Sequence, residues 1–390
     1  MEGALPEPLY PQLRARRNVS REAVAAHQRA RLHGAMIEAV TAHGYESTTV
    51  NGVARLAGVS KKTLYRHFES KDDCLLRTYD LVVREATQRI STACRAATRD
   101  NGDWEAGLRR GFDAFAAELA ERPKPSRLAL VEMWAAGPDA LRRLEGTEAV
   151  FARMIAQGLA RAPDGVSLPP SLVRSLVGGC LFASRCLLHE ERPGASAGSG
   201  SELLDWILSY RAAAAADLPR AAVARPSPRA GPPEAFVRAP GGFDESFLAS
   251  LDRHGAATLA RMLRESEDAR DWPTGICCAV HALFCEIAEN PEFARAAFVE
   301  VFAIGTAGAE ALTALMRSFA ALLVRRAPRG RRPSPLVAEA IVGAVWALAR
   351  RHVAAGRARA LPSLSGQAAY LVLAPIVGAE PAAKTISAAF

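Results

Sequence analysis

The residue types best suited to chemistry lie close together, in a short stretch between Ser60 and Lys71. The two turns that follow Ser60 carry side chains that are cationic or form hydrogen bonds: Lys61, Lys62, Thr63, Tyr65, Arg66 and His67. Ammonium and guanidinium groups bind phosphates and the acceptor edge of guanine, and an apolar core has little use for them. The stretch therefore predicts a surface that enters the major groove of double-stranded DNA.

Two lysines occupy a position that helix folding alone disfavours. Lys61 and Lys62 fall in the first turn of a predicted helix, where the helix dipole penalises a cation by roughly 0.3–1 kcal/mol. The next predicted helix follows the usual preference, with Asp72 and Asp73 in its first turn. A negative partner outside the chain explains the two lysines, and a merely solvated basic helix end is the alternative.

The sequence around this stretch predicts three short helices that position it. The first has apolar residues at helical spacing: Leu32, Ala35, Met36, Ala39 and Val40. Gly44 ends this helix, and Thr48 or Thr49 caps a second one. Gly58 then supplies a sharp turn, and Ser60 caps the third helix. Two helices joined by a short glycine turn form a helix-turn-helix.

These signals together resemble the DNA-binding domain of tetracycline-repressor (TetR) family regulators. The resemblance spans Leu32 to Leu76 and is carried by these residues: Thr48-Thr49-Val50, Val53-Ala54, Ala57-Gly58-Val59-Ser60, Thr63-Leu64-Tyr65, His67-Phe68 and Ser70-Lys71. It implies an all-helical regulator whose N-terminal unit binds an operator as a dimer. It also implies that the C-terminal helices hold a pocket for a small molecule.

The resemblance assigns roles to individual positions. It implies that five side chains face the groove: Lys61, Lys62, Thr63, Tyr65 and His67. Thr49 and Lys71 are implied to grip phosphates. The complete predicted DNA-binding set is Thr48, Thr49, Ser60, Lys61, Lys62, Thr63, Tyr65, Arg66, His67 and Lys71.

The distribution of charge agrees with a nucleic-acid binder. The net charge is +8, and residues 1–71 hold eleven Lys/Arg against six Asp/Glu, a local excess of +5. A basic end on a nearly balanced body is the electrostatic signature of such proteins. Residues 1–23 are predicted to form a flexible basic arm, and 24–71 the helix-turn-helix domain.

An internal repeat accounts for a chain of 390 residues, nearly twice the length expected for this family. Residues 103–137 align with 271–305 at a constant shift of 168, with 14 of 35 positions identical. A weaker match follows at a shift of 165, which pairs Arg185 with Arg350. The sequence therefore predicts two tandem copies of a helical regulatory domain behind one DNA-binding unit.

The predicted fold class is all-α: a helix-turn-helix three-helix domain followed by two tandem TetR-like helical bundles. The first bundle covers 72–217, and the second covers 243–380 without a helix-turn-helix of its own. Residues 218–242 contain six prolines and are predicted to be a stiff, extended linker.

The second copy leaves two architectures open. In one, two chains form a homodimer, and the second copies extend the body. In the other, the second copy folds back as a built-in partner and gives a monomer with an internal pseudo-dimer. The resemblance implies that the last two helices of a copy form the dimer interface, and the spacing of Leu172, Leu176, Gly179, Ala183 and Leu187 suits close helix contact. We expect a homodimer on functional grounds, because specific operator binding usually spans two half-sites.

The ligand pocket implied by the family lies among the middle helices. Its candidate lining residues are apolar: Phe112, Phe115, Met133, Trp134, Met154 and Phe182. Each is also a plausible core residue. The ion pairs Arg127–Glu132 and Arg295–Glu300 are expected to be structural.

Other classes of function have less support. No catalytic constellation, metal motif or phosphate loop is present, so no enzyme, cofactor or metal is predicted. The seven cysteines are expected to be core residues, with a thiol sensor at Cys180 and Cys186 as an alternative. No apolar run reaches ~18 residues, so no membrane span is expected, and the predicted location is the cytoplasm.

The sequence thus predicts a ligand-responsive transcriptional repressor that binds double-stranded operator DNA and an unknown small-molecule effector. The alternative is a helical assembly protein with a vestigial DNA-binding unit.

Overall fold

A computed structural model describes residues 20–101, 103–162, 168–189, 198–211 and 245–390, together with residues 215 and 218. Within these residues every regular element is a helix, as predicted. The predicted linker, except for its first residue, and residues 1–19 of the predicted arm lie outside the described residues.

The helices fall into three groups along the chain. The N-terminal group is α1 (Arg21–Ser47), α2 (Val50–Leu56) and α3 (Lys61–His67), which we call the reading head. The first half of the body contains α4 (Lys71–Asn101), α5 (Trp104–Glu121), α6 (Pro123–Leu130), α7 (Pro138–Leu159), α8 (Pro170–His189) and α9 (Ser199–Leu208). The second half contains α10 (Glu245–Glu267), α11 (Trp272–Glu289), α12 (Pro291–Phe298), α13 (Thr306–Arg326), α14 (Pro335–Ala354), α15 (Ser365–Val377) and α16 (Ala379–Ala389).

The caps and turns of the reading head are those predicted from the sequence. Gly44 has a φ of 76° near the end of α1, and Gly58 has a φ of 59° in the turn between α2 and α3. Thr49 Oγ1 accepts a hydrogen bond from Gly52 N at 3.0 Å, which caps α2. Ser60 Oγ accepts one from Thr63 N at 3.1 Å, which caps α3. The helix-turn-helix geometry therefore follows from local sequence signals.

The middle of the first half is not one continuous helix. α6 ends at Leu130, and a 3₁₀ turn follows at Glu132–Ala135. Gly137 then has a φ of 89°, and Pro138 begins α7. A left-handed glycine followed by proline interrupts the helix here, since proline favours the first helical position and disfavours a helical residue before it.

The two halves have corresponding elements at the shifts found in the sequence. α5 and α11 each have 18 residues, α6 and α12 each have 8, and α8 and α14 each have 20. The aspartates that precede α5 and α11 both cap their helices. Gly137 and Gly305 both have a positive φ, and the ion pairs Arg127–Glu132 (3.4 Å) and Arg295–Glu300 (2.7 Å) recur in both halves. These correspondences favour the predicted duplication.

The second half packs against the face of the first half that α8 and α9 form. α8 lies along α14 so closely that a β-carbon on Gly178 would collide with the side chain of Ala347. A β-carbon on Gly343 would lie 2.6 Å from Phe182 Cβ. These two contacts are reciprocal, since a shift of 165 converts 178 to 343 and 182 to 347. Reciprocity of this kind is the signature of a two-fold symmetric interface, and here it occurs within one chain.

The apolar interior is continuous across the two halves. One cluster of buried side chains extends from Leu108 to Ile386. A second cluster joins the reading head to the body, because Leu32, Val40 and Leu64 share it with Leu128 and Leu144. The reading head therefore has no separate core of its own.

Among the described residues, three segments are long and apolar enough to cross a membrane by length and composition: Pro170–His189, Thr306–Arg326 and Ala358–Val377. The expectation that no such segment exists was wrong, because leucine, valine, alanine and other apolar residues raise the mean hydropathy of helices that also contain charged residues. Within the protein, the most apolar windows of Pro170–His189 and Ala358–Val377 are 72% and 67% buried. Packing among other helices explains their apolar character.

Candidate nucleic-acid interface and ligand cavities

Helix α3 presents a cationic outer face. Lys61, Lys62, Tyr65 and Arg66 are exposed, and 48% of the surface of Tyr65 is accessible. Leu64 on the opposite face is 1% exposed and anchors the helix in the core. Lys61 Nζ lies 5.8 Å from the centre of the Tyr65 ring. Charge and aromatic surface are thus held outward by a buried apolar residue, as groove binding requires.

Several predicted contacts already have partners within the chain. Thr48 is 4% exposed and donates from Oγ1 to Gly44 O at 2.8 Å, so its assignment to DNA is corrected: its hydroxyl stabilises the end of α1. Thr49 and Ser60 are exposed and act as helix caps. Thr63 Oγ1 lies 2.9 Å from Ser60 Oγ.

His67 and Lys71 lie at the edge of the face. His67 Nε2 is 3.0 Å from Gln28 Oε1 of α1, and burial, followed by Arg29 and Arg66, lowers the pKa of this imidazole. Lys71 Nζ donates to Tyr45 O at 3.1 Å and lies 4.0 Å from the centre of the Tyr45 ring. No sequence pattern marks Gln28 as a functional residue, and only the packing of α1 against α3 places it beside His67.

The first half contains two small cavities lined by five of the six predicted pocket residues. A cavity of about 90 Å³ is lined by Phe115, Trp134 and Phe182. A neighbouring cavity of about 70 Å³ is lined by Phe112, Phe115 and Met154. Met133 is corrected: it is 0% exposed and packs in the cluster that joins the reading head to the body.

The larger of these two cavities is lined by charged side chains and by α4, the helix that follows the reading head. α4 contributes Tyr79, Val82, Val83 and Ala86 to its wall. Glu148, Arg185 and Arg350 also line it. Burial raises the pKa of Glu148, while Arg351 Nη1 at 2.9 Å opposes the shift. The wall of this cavity is therefore partly polar and includes the helix that follows α3.

A larger cavity lies entirely in the second half. Its volume is about 270 Å³, and its wall comes from α10, α11, α12, α13, α14 and α15. Among the described residues that line it, Arg326 alone is charged. This cavity was not predicted from the sequence. The repeat contained the signal, since a shift of 168 carries Phe112 and Phe115 onto Val280 and Leu283, which both line it.

An aromatic and cationic cluster lies where the halves meet. Trp134 contacts Phe302 with ring centres 4.9 Å apart, and these positions are equivalent at the shift of 168. The guanidinium carbons of Arg185 and Arg350 lie 5.6 and 5.2 Å from the Trp134 ring centre. Burial lowers the pKa of Arg185 to about 10. Cation–π contacts thus stabilise two buried charges at the centre of the molecule.

The thiols and potential metal ligands show no reactive arrangement in the described parts of the chain. Burial raises the pKa of both Cys180 and Cys186 to about 12, which disfavours the thiolates that a redox sensor needs. No group of three or more His, Cys, Asp or Glu side chains is placed to hold a metal ion among the residues described.

Comparisons with known proteins identify one family. The sequence model of bacterial regulatory proteins of the tetR family matches residues 35–78. The HTH-type transcriptional activator FasR of Mycolicibacterium smegmatis is 29% identical over an alignment of 150 residues, which covers 34% of this chain and 67% of that protein.

Solved structures of similar proteins match less than half of this chain. The fatty acid degradation regulator FadR from Bacillus halodurans has 17% identity and a TM-score of 0.41, over 46% of this chain and 94% of its own. FadR from Bacillus subtilis, solved in complex with stearoyl-CoA, has 15% identity and a TM-score of 0.41, over 46% and 97%. A putative TetR-family regulator from Rhodococcus sp. has 26% identity and a TM-score of 0.38, over 46% and 96%.

Proposed function

Because the chain belongs to the tetR family of bacterial regulatory proteins, we propose that it binds a double-stranded operator through α3 and responds to a small-molecule effector in its helical body. The observation that carries this proposal is the exposed cationic face of α3, held outward by Leu64 on the opposite side. The protein acts in the cytoplasm, on the nucleoid.

An effector bound in the body can change the orientation of the reading head through α4. The cavity of about 90 Å³, which we call the first-half cavity, borders Tyr79 and Val83. These residues lie two to three turns along α4 from Lys71. A ligand that fits better when α4 is displaced shifts the population toward that displaced state. Since α4 begins directly after α3, its displacement reorients α3 relative to the groove and releases the operator.

We favour repression as the outcome of binding. An operator that overlaps a promoter gives repression, and one upstream of it gives activation, the outcome for which the relative FasR is named. A reporter gene with the native upstream region separates these outcomes, because deletion of the regulator raises expression in the first case and lowers it in the second.

The proposed regulator carries its dimer partner within the chain. α8 and α9 would pair with a second subunit, but in this chain α14 and α15 occupy that face. Arg185 donates a hydrogen bond to Thr313, and Arg350 Nη2 lies 3.0 Å from Glu145 Oε1. These two contacts also correspond through the repeat, since a shift of 165 pairs Arg185 with Arg350 and a shift of 168 pairs Glu145 with Thr313. We therefore replace the expected homodimer with a monomer that has one reading head and an internal pseudo-dimer.

The double variant Lys61→Ala, Tyr65→Ala tests DNA binding. Selection of genomic fragments by the purified protein first identifies the operator, and a mobility shift then measures affinity. Each side chain that contacts a base edge contributes about 1–3 kcal/mol, so the double variant should bind at least tenfold more weakly. Arg153→Ala, on the exposed face of α7, is the matched control and should bind like the parent.

Unchanged operator binding in the double variant, with circular dichroism showing an intact fold, would refute the assignment of α3. If the parent protein selects no fragment and leaves no footprint at low salt, the assembly-protein alternative gains support instead.

A further inference from the structure

We propose that the second half of the body is itself a ligand-binding domain, and that its cavity takes an elongated hydrocarbon molecule with a single acidic head group. The cavity of about 270 Å³ is more than ten times the ~10–15 Å³ that one water molecule needs. A wall of leucine, isoleucine, valine, methionine and phenylalanine side chains gives water few partners, so the space suits an apolar guest.

The wall offers little to a polar molecule. Its two hydroxyl groups are already used, since Thr258 Oγ1 donates to His254 O at 2.8 Å and Ser266 Oγ donates to Leu263 O at 2.7 Å. The first-half cavity differs in this respect, because Glu148 and several arginines line it. The second-half cavity therefore selects for hydrocarbon where the first-half cavity does not.

One end of the cavity is polar. Ser266 near the end of α10, Trp272 at the start of α11 and Arg326 at the end of α13 lie at this end. Arg326 Nη2 is 4.0 Å from Glu267 Oε1, and its side chain is 48% exposed. That distance is too long for a hydrogen bond, so the guanidinium retains donors for a carboxylate at the cavity mouth.

The other end lies deep in the molecule, so the cavity is long. Leu312 and Arg326 both line it and are fourteen residues apart on α13, which at 1.5 Å per residue is about 21 Å. Trp346 lies at the inner end, where its ring adds to the apolar wall. A long unbranched chain with its acid at Arg326 fits this shape better than a compact ring system.

The inner end connects this cavity to the rest of the regulator. Met316 and Trp346 line both the second-half cavity and the first-half cavity of about 90 Å³. The start of α13 also touches the reading head, because a β-carbon on Gly44 would lie 3.3 Å from Thr306 Oγ1. A ligand along α13 thus adjoins the first-half cavity, and the helix that it contacts extends to the end of α1; this coupling rests on the proposed effector response.

Direct binding of dodecanoate and dodecanol to the full-length protein, measured by calorimetry without DNA, tests the proposal. Dodecanoate should bind, and Ala279→Phe, which fills the second-half cavity, should abolish binding. Ala86→Phe, the same substitution in the first-half cavity, is the matched control and should leave binding unchanged. Arg326→Gln should weaken dodecanoate binding about tenfold and leave dodecanol within twofold.

A terminally brominated dodecanoate reports the orientation of the chain. The bromine should quench the fluorescence of Trp346 at the inner end, so Trp346→Phe should remove most of the quenching while Trp272→Phe, at the mouth, should not. No binding by the parent protein, or loss of binding in Ala86→Phe but not in Ala279→Phe, overturns the inference. Neither result depends on operator binding. If the protein binds no operator, that result refutes the proposed function and not this inference.

Discussion

His33 is the titratable residue most directly tied to the integrity of the reading head. It lies in α1 with Nδ1 2.8 Å from Thr78 Oγ1 of α4, and its ring meets Phe68 edge to face at 5.3 Å. Burial, followed by the charges of Arg29, Arg77 and Arg84, lowers the pKa of His33 to about 4, while Glu85 opposes them. The imidazole is therefore neutral in the folded protein at neutral pH.

This burial predicts acid sensitivity. Between pH 6.5 and about 4 the unfolded chain binds a proton at His33 and the folded chain does not, so the free energy of unfolding should fall as the pH is lowered through this range. His33→Gln, which can keep a hydrogen bond to Thr78, should remove up to about 3 kcal/mol of this dependence. Urea unfolding of both proteins from pH 7 to pH 4.5 measures the difference.

The parent must be compared with His33→Gln because Glu339 changes the free energy of unfolding in the opposite direction over this pH range. Burial raises the pKa of this carboxyl to about 7, although Arg317 Nε lies 3.5 Å away. Its contribution to stability is therefore lost as the pH rises from 4.5 toward 7. Parallel pH curves for the parent and His33→Gln would show that His33 is not the source of acid sensitivity.

At the residue scale, the sequence predicted the helix caps and the exposed side chains that depend on local chemistry. The caps at Thr49 and Ser60 and the outward face of α3 depend on neighbours within a few residues. The burial of Thr48 and the contact between His67 and Gln28 depend on how α1, α2 and α3 pack, which no local pattern encodes. The deep placement of Met133 has the same cause.

At the element scale, glycine permits the close approach of α8 and α14. A β-carbon on Gly343 would lie 2.6 Å from Phe182 Cβ, a separation that a side chain cannot relieve by rotating its far end. The spacing of small residues in α8 predicted such an approach, but it could not identify the partner. Only the repeat raised the option of a helix from the same chain.

Gly343→Ala should therefore destabilise the protein by about 1–3 kcal/mol, because the added methyl group overpacks the interface. Gly146→Ala is the matched control: it lies in α7 with nothing within 4 Å of the added β-carbon. Alanine there should stabilise the protein by about 0.5–1 kcal/mol, through helix propensity alone. The two variants can be compared by the urea concentration at the unfolding midpoint. Equal effects would show that α8 and α14 do not approach closely in solution.

At the scale of the whole molecule, the second half has two roles that are physically linked. It covers the face that α8 and α9 present, and it encloses an apolar cavity whose inner wall borders the first half. The reciprocal contacts at Gly178 and Gly343 are those expected if, as we propose, the second half is a duplicate that takes the place of a second subunit. Effective concentration then favours the contact within one chain over the same contact between chains.

This architecture predicts a monomer that unfolds as one unit. Light scattering at micromolar concentration should give a mass near 41.6 kDa, because the pairing face is occupied from within. Chemical unfolding should show a single transition by both fluorescence and circular dichroism, since one apolar cluster spans both halves. With one reading head per chain, a footprint should protect a single half-site, without the two-fold symmetric site that a dimer spans. A mass of twice this value together with a symmetric footprint would show that chains pair through another surface, and the internal pseudo-dimer would then not explain operator recognition.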